Sequence, residues 1–213
     1  NKLNKQQLKA VVKTDGSLLI LAGAGSGKTR VLILKIYYYL ISKLALPNQI
    51  LAVTFTNKAA NELKLRVGTM LNKTVDSWWV GTFHSISAKI LRRNAQEVGL
   101  KENFVIIDQD DQIKLIKNIC EAEKISLDQN NPKYYLNCID RFKNENLSEE
   151  YVSSKAKDNK EKIISKIYSI YEYELKRSNC CDFGNLILHC LSIFKKNNNI
   201  LKQFQNQFKY ILV

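Results

Sequence analysis

The sequence predicts an α/β fold: a parallel sheet with its connecting helices first, then a mainly helical stretch. Three observations carry this. The apolar runs Leu18–Leu21 and Ile50–Phe55 are each followed by helical periodicity, the alternation of buried parallel strands and helices. From about residue 100 apolar residues recur at helical spacing, with Ile163, Ile164, Ile167, Tyr168, Tyr171 and Leu175 on one face. The segment Phe208-Lys-Tyr-Ile-Leu-Val213 is strand-like again.

Taken in order, Asn4 caps a helix running to about Val12, and strand Leu18–Leu21 leads through a glycine-rich turn to a helix from Lys28 to about Leu44. Ala45-Leu-Pro47-Asn48 is a turn, and the strand from Ile50 follows. Thr56 caps a helix ending near Gly68. Trp78-Trp79-Val80-Gly-Thr82 is the third strand, followed by a helix from about His84 to Val98 that Gly99 stops. The later helices start at caps at Asp108, Asn131-Pro132, Ser148 and Asp182. The absence of an initial Met, and an end inside an apolar strand, predict a fragment of a longer protein that continues beyond Val213.

Among the 213 residues, 45% are hydrophobic and 25% charged, enough for one large domain or two small ones. No apolar run approaches the roughly 18 residues of a membrane span, since Lys35 and Lys43 interrupt the richest stretch. No secretory signal precedes Lys13. Five cysteines without C-x-x-C spacing and two histidines argue against zinc and for thiols in a reducing cytoplasm. The net charge is +13, and residues 1–83 hold 12 Lys/Arg against 3 Asp/Glu. That basic half suits a polyanion such as nucleic acid. A Lys-, Asn- and Ile-rich composition also fits drift in an AT-rich genome, so charge alone leaves both readings open.

The most informative segment is Ala22-Gly-Ala-Gly25-Ser-Gly27-Lys28-Thr29-Arg30. A strand, a glycine-rich turn and a helix in that order build a cradle for a triphosphate. Backbone N–H groups wrap the β- and γ-phosphates, and the helix N-terminus adds its positive dipole end. Lys28 reaches the β/γ oxygens and the Thr29 hydroxyl ligates Mg²⁺. The pattern departs from G-x-x-x-x-G-K-[ST] only at Ala22, where glycine is usual.

Two further constellations lie where strands end and helices begin, the edge at which open α/β sheets bind ligands. In Thr54-Phe55-Thr56-Asn57-Lys58, Phe55 is either a flat platform for a nucleobase or a core aromatic. Thr56 and Asn57 supply donors or an ordinary cap, and Lys58 a charge for a phosphate. In Gly81-Thr82-Phe83-His84-Ser85, the hydroxyls and imidazole either hold a sugar–phosphate backbone or cap and pack. Gln7 either reads an adenine edge or completes a capping box with Asn4.

Together, Leu3-Asn4-Lys5-Gln6-Gln7, Ala22–Arg30, Ala52–Ala60 and Trp79–His84 closely resemble the N-terminal part of UvrD/Rep/PcrA-type superfamily 1 DNA helicases. The resemblance runs more weakly through Asp182-Phe183-Gly184-Asn185-Leu186 to Tyr210–Val213. In that family Ala commonly stands where this chain has Ala22. The resemblance implies a RecA-like P-loop core at residues 1–83, an inserted helical subdomain at 84–207 and a returning core strand at 208–213. It implies ATP and Mg²⁺ as cofactors. ATP falls to Gln7 (adenine), Ala22, Gly23, Ala24, Gly25, Ser26, Gly27, Lys28, Thr29 and Arg30, with Lys28 and Thr29 catalytic and Thr29 the metal ligand. Single-stranded DNA falls to Phe55, Thr56, Asn57, Lys58, Thr82 and His84. The partners implied are single-stranded DNA and its junctions with duplex, with other repair proteins as further candidates, in the cytoplasm.

Rival readings are another P-loop enzyme such as a nucleotide kinase, a helicase subunit of a recombination-type helicase–nuclease, and a DNA-binding module without catalysis. The family's Asp-Glu pair follows the strand ending at Val213, and its arginine fingers, worth about 10³–10⁵ in rate, lie on a second RecA-like domain. Residues 1–213 alone are therefore expected to bind nucleotide weakly and turn over almost none. Steady-state phosphate release from this segment, with and without single-stranded DNA, checks this, and DNA-stimulated hydrolysis would refute it.

Overall fold

The computed structural model describes residues 3–23, 25–75, 77–128 and 130–213. The chain divides into two compact units, residues 1–86 with 199–213, and residues 87–198. The first joint lies three residues and the second nine residues from the expected 83/84 and 207/208, because flanking residues pack on β2 (Trp79–Thr82). Side-chain carbons of Ile86 approach Gly81, and Phe204 and Phe208 stand edge-on to Trp79 at 5.9 and 5.1 Å.

The first unit begins with α1 (Lys5–Val12) and α2 (Lys28–Ile41), then β1 (Ile50–Thr54), α3 (Asn57–Leu71), β2 and the start of α4 (Phe83–Arg93). Between β1 and β2 the chain must cross over to keep them parallel, and α3 is that crossover. Leu51 to Thr54 pair in register with Trp79 to Thr82. On the other side of β1 lies β5 (Tyr210–Leu212), also parallel, so the order is β2-β1-β5. Ile33, Ile36 and Tyr39 of α2 and Leu63 and Val67 of α3 bury against Ile50, Ala52 and Val80. Tyr39 stacks on Tyr210 at 3.9 Å, which ties α2 to β5.

The expected strand Leu18–Leu21 is not formed. Leu19 and Leu21 are 81% and 86% exposed, and among the described residues no strand pairs with the segment. Apolar composition favours a strand only where a neighbour takes its N–H and C=O groups. Helix α2 stops at Ile41, short of the expected Leu44, and two later helices also differ in length from the expectation. The first passes Gly68 and ends at Leu71, where Asn72 takes φ +50°. Gly68 is a packing residue instead, since a Cβ there would lie 2.9 Å from the Lys73 carbonyl. The second, α4, breaks at Asn94, whose side-chain amide donates to the Ile90 carbonyl at 2.9 Å. Such a local bond competes with the helix ladder, and only a 3-10 turn at Ala95–Val98 precedes Gly99.

The second unit holds β3 (Val105–Ile106), α5 (Gln109–Ala122), α6 (Pro132–Asn144), α7 (Glu149–Lys155), α8 (Asn159–Arg177), β4 (Cys180–Cys181) and α9 (Phe183–Lys196), and α10 (Asn198–Gln207) returns to the first unit. Asp108, Asn131, Ser148 and Asp182 cap helices as expected. Ile164, Ile167, Tyr168, Tyr171 and Leu175 enter the core, with Ile163 partly buried beside it. The parallel pair of β3 and β4 was not legible, because two residues give no periodicity. All five cysteines are free thiols. No helix among the described residues is long and apolar enough to cross a membrane.

A buried polar cluster ties three helices of this unit together. Lys143 of α6, 3% exposed, pairs with Asp182 at 2.5 Å and with Glu172 of α8 at 2.6 Å. Tyr171 donates its hydroxyl to Asp182 at 2.8 Å, and Asn185 of α9 donates its amide to Glu172 at 2.9 Å. Burial opposes the Lys143 charge, yet Asp182 and Glu172 outweigh it and hold its pKa above the usual lysine value. Gly184 completes the Asp182-Phe-Gly-Asn185 motif: a Cβ there would lie 3.0 Å from Lys143 Cδ. Removing the cation strands two carboxylates away from water, so Lys143→Met is expected to destabilise the chain by about 3–5 kcal/mol. Urea unfolding followed by circular dichroism measures this, and a loss below about 1 kcal/mol would show that the charges do not depend on one another.

Candidate nucleotide and nucleic-acid site

The glycine-rich turn lies in the first unit, joined to α1 and leading into α2. Asn4 and Gln7 form a reciprocal capping box: Gln7 N–H donates to Asn4 Oδ1 at 2.8 Å and Asn4 N–H to Gln7 Oε1 at 3.1 Å. Gln7 also reaches across to the turn, its Nε2 donating to the Ser26 carbonyl at 3.1 Å. The capping-box alternative for Gln7 is therefore formed. Its oxygen serves the cap, and its amide is brought to the nucleotide loop.

At its other end α1 is fastened by Lys35 of α2. This lysine is 6% exposed and donates to the carbonyls of Ala10 and Lys13 at 2.8 and 2.5 Å. It thereby satisfies acceptors that a helix C-terminus leaves open. Burial, and next the charge of Lys13, lowers its pKa. Its signal in the sequence is a lone Lys in the apolar run from Val31 to Tyr39.

Within the turn, Gly25 and Gly27 have φ +73° and +88°, conformations costing an L-residue roughly 1–2 kcal/mol. Gly27 is the N-cap of α2 and offers no side chain to its first-turn N–H groups. In contrast, Asn4, Thr56, Asp108, Asn131, Ser148, Asp158 and Asp182 cap their helices with side chains. The turn is open, with Gly23, Gly25 and Ser26 exposed and nothing within 4 Å of a Cβ built at Gly23 or Gly25. Ser26 Oγ donates to the Gly23 carbonyl at 2.7 Å. Lys28 folds over the loop, its Nζ donating to the carbonyls of Ala22 and Gly23 at 2.9 and 2.8 Å. Thr29 is exposed and Arg30 half-buried on the first turn of α2. Ala24 lies outside the described residues.

The second group of predicted residues sits where β1 and β2 end. Phe55 is 89% exposed, which removes the core alternative. Thr56 accepts the Ala59 N–H at 3.1 Å as the cap of α3, and Asn57 and Lys58 are exposed on its first turn. Thr82 differs from its expected place on an open track. It is buried, its hydroxyl accepts the Ser85 N–H at 3.2 Å, and Ser85 Oγ returns a bond to its carbonyl at 3.0 Å. His84 is exposed at the start of α4. The structure adds Phe83, whose ring lies 6.0 Å from that of Phe55. The signal for it was a second Thr-Phe pair at a strand end.

Compared with known proteins, residues 3–213 match the family model described as the UvrD/REP helicase N-terminal domain. The chain belongs to this family. It is 40% identical over 213 residues to the ATP-dependent DNA helicase PcrA of Staphylococcus aureus (strain NCTC 8325), covering 100% of this chain and 29% of that protein. Against the ATP-dependent DNA helicase PcrA of Staphylococcus epidermidis (strain ATCC 12228) it is 40% identical over 211 residues, covering 99% and 29%. The chain thus spans 29% of the length of these relatives. Its mixed α/β architecture with a parallel sheet fits the family's RecA-like core.

A side chain at the helix cap of the turn would be strained. A Cβ at Gly27 would meet Gln7 Nε2 at 3.1 Å, on a backbone of φ +88°. Gly27→Ala is expected to cost about 1–2 kcal/mol of stability and to weaken nucleotide binding by about tenfold or more, the 1.4 kcal/mol equivalent. Thermal melts and titration with a fluorescent ATP analogue check both, and wild-type affinity in a folded variant would refute the role given to the turn.

Proposed function

We propose that this chain is the nucleotide- and strand-binding N-terminal part of an ATP-dependent DNA helicase acting in repair or replication, in the cytoplasm. ATP with Mg²⁺ is the energy source, and single-stranded DNA at a junction with duplex is the track. The first unit serves as the RecA-like core and the second as its helical insertion. The observation that carries this reading is an open glycine turn with Lys28 over it, in the same unit as a solvent-exposed Phe55 at the end of a buried strand. The relatives are named ATP-dependent DNA helicases, which supports it.

The residues present suit the cofactors. Mg²⁺ keeps several waters and takes few protein ligands beside phosphate oxygens, and the exposed Thr29 hydroxyl is one such ligand. Bound ATP supplies the free energy of phosphoryl transfer. Lys28 exchanges the carbonyls of Ala22 and Gly23 for phosphate oxygens and offsets their charge. The first-turn N–H groups of α2 lie along the helix dipole and add to it. On the adenine side, Gln7 keeps a second amide N–H and a second oxygen lone pair beyond its bonds to Ser26 and Asn4, and these are the groups that read the base edge. Arg30 contacts the base as well. Phe55 stacks on an unpaired base, while Thr56, Asn57, Lys58 and His84 follow the backbone and Thr82 shapes the start of α4.

This division of labour separates two variants. Lys28→Ala is expected to abolish ATP binding and hydrolysis and to leave single-strand affinity near wild type. Phe55→Ala is expected to weaken single-strand binding by about 1–3 kcal/mol with little change in salt dependence, because stacking releases no counterion. Nucleotide titration and strand-binding anisotropy over a salt series measure both, and equal loss of both activities in either variant overturns the assignment.

A further inference from the structure

Thr54 and Thr82 are register partners in the parallel pair of β1 and β2. The next residue of each strand therefore leaves the sheet at the same edge, and both are phenylalanine. Phe55 is 89% exposed and Phe83 42% exposed, whereas Trp79 and Ile86 on either side of Phe83 are 3% and 7% exposed. The same short segment thus buries its other large apolar groups and leaves this ring toward solvent. The two rings stand 6.0 Å apart between centroids, with their planes at 67°. Two apolar rings at nearly a right angle leave a corner with two flat walls.

We propose that Phe83 is a second base-contacting residue, forming with Phe55 a two-walled corner that receives one unpaired nucleobase. The inference rests on the single-strand reading above and deepens it. A base lying flat on one ring turns its edge toward the face of the other, the offset and edge-to-face arrangements that aromatic quadrupoles favour. Such contacts are sequence-tolerant, since every base has a π-face, and they exclude bases already paired and stacked in a duplex. Asn57, Lys58 and His84 are exposed on the helix starts beside the corner, where a sugar–phosphate backbone leaves the base. Backbone geometry sets the arrangement: β1 and β2 fix where both Cα atoms emerge, and the caps at Thr56 and Thr82 turn the chain immediately afterwards.

The test compares the full-length protein's affinity for a single strand of normal DNA and for an abasic strand of the same length. Phe83→Ala is expected to lose roughly 5–100-fold in affinity on the normal strand and to match wild type on the abasic one. Phe83→Trp is expected to keep wild-type affinity, whereas Phe83→Leu, with apolar bulk but no π-face, is expected to lose nearly as much as alanine. Equal loss on both strands, or wild-type binding by Phe83→Leu, overturns the inference and leaves Phe83 a prop for Phe55. Loss in Phe55→Ala with none in Phe83→Ala also overturns this inference and keeps the single-strand reading. A wild-type protein that binds both strands alike overturns that reading and this inference together.

Discussion

Strand β1 lies between two parallel neighbours, and that pairing governs what the first unit can do. With β2 on one side and β5 on the other, its backbone groups are taken along both edges, and Ile50, Ala52 and Val53 are buried. Nothing polar can be presented along such a strand without stranding it away from water. Chemistry is therefore displaced to the strand's end. Phe55, Thr56, Asn57 and Lys58 follow within four residues of Thr54, and the equivalent point of β2 supplies Phe83 and His84. The in-register pairing of Thr54 with Thr82 makes these two ends one surface.

The glycine-rich turn depends on a different arrangement, in which α1 is fastened at both ends. Gln7 bonds the Ser26 carbonyl at its start, and Lys35 takes the carbonyls of Ala10 and Lys13 at its finish. Lys35 also lies 5.2 Å from the Tyr39 ring, and Tyr39 stacks on Tyr210. One run of contacts thus links the loop, both helices and β5. The turn, in which Gly25 and Gly27 take positive φ, is held by neighbouring elements as well as by its own bonds.

The second unit solves its packing with charge as well as apolar burial. Lys143, Asp182 and Glu172 are individually costly inside a protein, and together they leave each carboxylate and the ammonium with partners. Because the members come from α6, α8 and the start of α9, the cluster also selects how those helices align. The Asp182-Phe-Gly-Asn185 motif thereby acquires a structural account: a cap, a close passage for the lysine stem and an amide for Glu172.

Local chemistry was legible from residues alone. Caps at Asn4, Thr56, Asp108, Asn131, Ser148 and Asp182, the glycine turn before Lys28 and the apolar face from Ile164 to Leu175 all follow from neighbours a few positions away. Long-range partners were not. Leu18–Leu21 read as a strand and formed none, since a strand exists only with a neighbour to pair with. Thr82 read as an open hydroxyl and is spent on Ser85. The roles of Lys35, Lys143 and Phe83 come from carbonyls, carboxylates and a ring that lie 22 to 39 residues away. Sequence by itself determined the glycine-rich turn before Lys28 and the family; tertiary structure decided which side chains are already committed and which face solvent, because hydrogen-bond partners and burial are properties of segments brought together by folding.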